Sequence, residues 1–76
     1  MKKHPDDANL LLSLGKLSAQ EQFWGKARDY LEASLKLNQK PETYFELARV
    51  VETLGNNDLA LEHYREGLQF ASQTTR

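Results

Sequence analysis

The sequence contains no cysteine, which removes disulfides and cysteine-based zinc sites as sources of stability. Neither sign of charge dominates, since 10 Lys and Arg stand against 11 Asp and Glu for a net charge of −1. The two signs are interspersed, so no basic face of the kind nucleic acid requires is expected. Long apolar runs are missing as well. Leu10-Leu11-Leu12 is the longest run of aliphatics, far short of the ~20 apolar residues that cross a bilayer. Met1-Lys2-Lys3 is followed by His4-Pro5-Asp6-Asp7, where a signal peptide would need an apolar stretch. These absences point to a soluble piece with no direct membrane insertion.

What is present is one domain over residues 1–76. A chain of this size buries only about 60% of its unfolded surface. Without covalent staples, its stability must come from efficient helix packing or from neighbours.

The chain repeats itself. Trp24-Gly25-Lys26-Ala27-Arg28-Asp29-Tyr30-Leu31-Glu32-Ala33-Ser34-Leu35 has a relative in Asn57-Asp58-Leu59-Ala60-Leu61-Glu62-His63-Tyr64-Arg65-Glu66-Gly67-Leu68. Ala27 and Ala60, Leu31 and Tyr64, Ser34 and Gly67, and Leu35 and Leu68 are each 33 residues apart. A fixed period of this length is the signature of stacked repeats, here about 8–40 and 41–73.

Four helices are expected. The first begins near Asp7 or Ala8, with a carboxylate placed to cap it. It carries Leu11, Leu14, Gly15 and Ser18 on one stripe with Leu10 and Leu17 beside it, and ends around Glu21 or Gln22. A mid-helix glycine costs about 1 kcal/mol relative to alanine, so Gly15 marks a close crossing, with Ala27 as its expected partner. Phe23-Trp24-Gly25 forms the corner, and Trp24 packs into the hairpin. The second helix turns Ala27, Tyr30, Leu31, Ser34, Leu35 and Leu37 inward. The residue before a proline avoids helical geometry, so the second and third helices stay separate at Lys40-Pro41. Pro41 then opens the third helix, whose apolar set is Tyr44, Leu47, Ala48, Val51 and Leu54. Gly55-Asn56-Asn57-Asp58 reads as a helix stop followed by a helix start. The fourth helix spans about 58–71, and residues 72–76 fray.

The two units resemble the tetratricopeptide repeat pattern. The first offers Leu11-x2-Leu14-Gly15-x2-Ser18, then Ala27-x3-Leu31 and Ser34; the second offers Tyr44-x2-Leu47-Ala48-x2-Val51, then Gly55, Ala60-x3-Tyr64 and Gly67. The resemblance implies an all-α fold of two tandem helix-turn-helix units, four antiparallel helices in a right-handed superhelical stack. Leu14, Gly15, Ala27, Leu31, Leu47, Ala48, Ala60 and Tyr64 would be its structural positions. Two departures are visible: the period is 33 rather than the family's 34, and the proline between the units is displaced to Pro41. Pro5 sits where a preceding repeat would close, so the chain is expected to be a fragment of a longer array with Met1 added at its start.

Over nearly its whole length the chain also resembles the C-terminal repeats of HemY-type proteins of bacterial haem (porphyrin) biosynthesis. Leu11-Leu12-Ser13-Leu14-Gly15-Lys16-Leu17, Glu21-Gln22-Phe23-Trp24-Gly25-Lys26-Ala27, Tyr30-Leu31-Glu32-Ala33-Ser34-Leu35 and His63-Tyr64-Arg65-Glu66-Gly67-Leu68 carry this likeness. It implies a parent anchored to the inner membrane, the cytoplasmic side favoured, and association with haem-biosynthesis enzymes.

No enzyme is expected. His4 and His63 have no nucleophile arranged beside them, and His63 with Glu66 reads as a helix face rather than a metal or haem site. Neither a cofactor nor a metal is expected. The repeat resemblance places function in binding a protein or peptide partner, on the concave face lined by the first helix of each unit. That face comprises Leu12, Lys16, Ala19 and Gln20, with Glu42, Phe45, Glu46, Arg49 and Glu52. Lys16 and Arg49 would pair with acidic groups, and Leu12 and Phe45 would anchor apolar ones, unless these two pack against the adjacent unit. Because two repeats are fewer than the usual three, apolar ends at Leu61, Leu68 and Phe70 raise the alternative of self-association as a homodimer. A tetrapyrrole-binding domain is the third reading.

Overall fold

In the computed structural model, which describes residues 7–74, a side-chain oxygen of Asp7 accepts from the Leu10 N–H at 3.1 Å and opens α1 (Ala8–Gln20). It satisfies one of the free donors at the helix start. The chain continues as α2 (Trp24–Leu37), α3 (Pro41–Thr53) and α4 (Asn57–Thr74), with no strand among the described residues. The readings at His4 and Pro5 lie outside the described residues.

Both hairpin turns use the same hydrogen-bond pattern, one repeat period apart. In the first, Phe23 N–H donates to Ser18 O at 2.8 Å and Gln22 N–H to Ala19 O at 3.0 Å, with Gln22 at φ 67°. In the second, Asn56 N–H donates to Val51 O at 2.9 Å and Gly55 N–H to Glu52 O at 3.0 Å, with Gly55 at φ 97°. A left-handed residue that folds the N–H groups back onto the last carbonyls is a standard helix ending. The corner expected at Phe23-Trp24-Gly25 therefore falls earlier, at residues 21–23, and Trp24 already belongs to α2. Gln22 carries no turn signature in its side chain, which is why the pattern hid the reversal. After Gly55, the Asn56 side chain accepts from Leu59 N–H at 3.3 Å and starts α4. At the other junction Lys40 is extended and Pro41 begins α3, as the steric limits on a residue before proline require.

Consecutive helices pack against each other, α1 on α2, α2 on α3 and α3 on α4, with a narrower contact between α1 and α3. Leu12, Ala27, Leu31, Leu47, Val50, Val51 and Ala60 form the core. A Cβ added to Gly15 would fall 2.6 Å from Leu31 Cγ and 3.4 Å from the Ala27 carbonyl. The close crossing exists, but Leu31 rather than Ala27 is the main filler. Ser34, also small and buried, donates its hydroxyl to Ala8 O at 2.8 Å and ties the end of α2 to the start of α1.

Several expected core positions are not buried. Leu10, Leu17, Leu37 and Leu54 are exposed, and Leu14 is half-buried. Leu10 and Leu17 share one outward face at seven-residue spacing, while Leu12 turns into the core. In α3, Val50 and Thr43 are buried although neither belongs to the expected apolar set. The fourth helix also runs further than expected, so residues 72–74 continue it instead of fraying.

Candidate functional site

Between α1 and α3 lies an open groove of about 290 Å³, lined by Lys16, Ala19, Gln20, Trp24, Glu46, Arg49, Val50 and Thr53. Helical spacing accounts for the line: Lys16, Ala19 and Gln20 are neighbours on one face of α1, as are Glu46, Arg49, Val50 and Thr53 on α3. Trp24, half-buried against the core, contributes an aromatic wall from the start of α2.

The charges along this groove are unequally committed. Lys16 Nζ donates to Glu42 Oε2 at 2.8 Å, a link between α1 and α3 whose two side chains remain largely in solvent. The hydrogen bond to Glu42 raises the Lys16 pKa above the usual lysine value, and the same bond lowers Glu42 below the usual carboxylate value. Lys40 adds a second strut by donating to Asn9 Oδ1 at 3.1 Å. Arg49, by contrast, has no ion-pair partner among the described residues and is exposed beside Trp24 and Val50.

Of the expected binding residues, the structure brings Lys16, Ala19, Gln20, Glu46 and Arg49 into the groove, with Glu42 held by Lys16. Leu12 is in the core and cannot serve as an exposed anchor. Phe45 faces α4, its ring 6.4 Å from that of Tyr64 and close against Gly67. Glu52 accepts from the Tyr64 hydroxyl at 3.2 Å, and burial foremost, with the Glu52 charge behind it, raises the Tyr64 pKa. Phe45 and Glu52 are thus engaged with α4. Trp24, Val50 and Thr53 line the groove outside the expected face; Trp24 reaches it as the first residue of α2, where the sequence pattern signals only hairpin packing.

A larger depression of about 480 Å³ between α2 and the α3–α4 turn is a weaker candidate, because its one lining cation, Arg28, is paired with Asp29 at 3.4 Å. His63 places Nδ1 3.8 Å from Glu66 Oε1 and its ring 6.2 Å from that of Tyr44. No group of three His, Cys, Asp or Glu residues suited to a metal occurs among the described residues, and no helix there is long and apolar enough to cross a membrane. Compared with family models, with curated proteins and with solved structures, the chain finds no match.

Proposed function

We propose that this chain is a pair of tetratricopeptide hairpins that binds a protein or peptide partner in the groove between α1 and α3. The observation that carries the reading is the unpaired Arg49 beside Trp24 and Val50. A cation against an aromatic and an aliphatic wall suits a partner segment that places a carboxylate next to an apolar side chain. Lys16 contributes less, because Glu42 already holds it. The 33-residue period, the matching turns and the packing order of the helices support the repeat assignment. The likeness around Trp24-Gly25-Lys26-Ala27 supports a HemY-like parent at the bacterial inner membrane, with haem-biosynthesis enzymes as the partner class.

The test is affinity capture with wild-type chain and with Arg49→Glu, followed by competition with free porphyrin. Loss of capture in the variant with helicity retained supports the groove. Displacement of the partner by porphyrin would favour pigment binding instead.

A further inference from the structure

The repeat register allows each end of the molecule to be compared with its own interior. Leu10 and Leu17 on α1 correspond, 33 residues on, to Thr43 and Val50 on α3. Thr43 is 0% and Val50 1% exposed, whereas Leu10 is 45% and Leu17 53% exposed. The face that α3 buries within the chain is therefore repeated on α1, in more apolar form, and is about half exposed there among the described residues. At the other end, Leu35 is packed against the core, while Arg28, its side chain 42% exposed, lines the open depression between α2 and the α3–α4 turn. Their counterparts Leu68 and Leu61 on α4 are 63% and 56% exposed.

We infer that a second copy of this chain stacks head to tail on the first, the α1 face of one covering the α4 face of the other as α3 covers α2 within the chain. The occupant is a second copy because the chain itself carries both halves of the contact, and the α2–α3 packing already joins two such halves. Leu10 and Leu17 supply one half, Leu61 and Leu68 the other. This surface is separate from the α1–α3 groove. Such a contact is heterologous, so it continues past two copies, into an open array or a closed ring, instead of closing as a two-fold dimer.

Light scattering of the whole chain across a dilution series tests this, with Leu17→Glu and Leu68→Lys as variants at exposed positions and circular dichroism to confirm their helicity. The wild type is expected to grow in mass with concentration beyond a dimer. Each variant alone is expected to be monomeric, since each lacks one half of the contact. Their mixture is expected to give a 1:1 dimer that grows no further, through the intact α4 face of Leu17→Glu and the intact α1 face of Leu68→Lys. A wild type that stays monomeric to its solubility limit overturns the inference and leaves another hairpin or another protein as the occupant. Self-association of Leu17→Glu alone overturns it in favour of a two-fold contact through α4.

Discussion

Gly15 and Leu31 meet across the α1–α2 crossing with no room for a methyl group, since an added Cβ would lie 2.6 Å from Leu31 Cγ and 2.7 Å from its Cδ2. Leu31 is fully buried and cannot swing away. Gly15→Ala would gain about 1 kcal/mol of helix propensity, against overpacking that costs about 1–3 kcal/mol. The clash should win. Thermal unfolding is expected to show a lower midpoint for Gly15→Ala, and Leu31→Ala in the same background should recover part of that coupling. A raised midpoint for Gly15→Ala would mean the helices do not cross this closely.

Gln22 and Gly55 occupy the same turn position, yet only one is suited to it. A left-handed conformation costs an L-residue about 1–2 kcal/mol, while glycine adopts it freely. Gln22→Gly should therefore stabilise the chain by about 1 kcal/mol, and Gly55→Ala should destabilise it by a similar amount. Denaturant midpoints that move in the same direction for both would refute the shared turn.

Much of the fold was legible beforehand because the repeat supplied two readings of each feature. Asp7 as a cap, Pro41 as a helix start and the Gly55-Asn56 reversal all carry local chemistry that acts within one turn. Gln22 does not, so its turn was displaced by two residues. The site was less legible, because periodicity gives the face of a helix but not which helix comes to cover it. Leu12 and Phe45 share a register position, but the first is covered in the core while the second leans on Tyr64 and Gly67. That Glu42 engages Lys16, 26 residues away, is likewise a matter of tertiary packing.

Thr43 is fully buried with its hydroxyl unpartnered. An unmade hydrogen bond of this kind costs about 1–3 kcal/mol. Valine has a similar shape, the same β-branching and comparable helix propensity. Thr43→Val is expected to hold or raise the thermal midpoint, whereas clear destabilisation would show that the hydroxyl has a partner after all.

The Lys16–Glu42 link should respond to pH in a definite direction. Glu42 is lowered below its ordinary value of 4.5, so its contribution is full above that value and is lost as pH falls through the lowered one. Lys16 is raised above 10.5, so its contribution is full below that value and is lost as pH rises through the raised one. Between these limits the link stands. Carbon-detected titration should find the Glu42 carboxylate titrating below 4.5, with Lys16→Met moving it upward. Because both side chains are exposed, high salt should shrink the shift. An unchanged Glu42 titration in Lys16→Met would show that the two side chains are not linked in solution.

The decisive measurement for partner binding through Arg49 in the α1–α3 groove is capture of that partner by wild type and by Arg49→Glu. Arg49→Glu is expected to lose the partner, with helicity and thermal midpoint held. Equal recovery of the same partner by wild type and Arg49→Glu would contradict it.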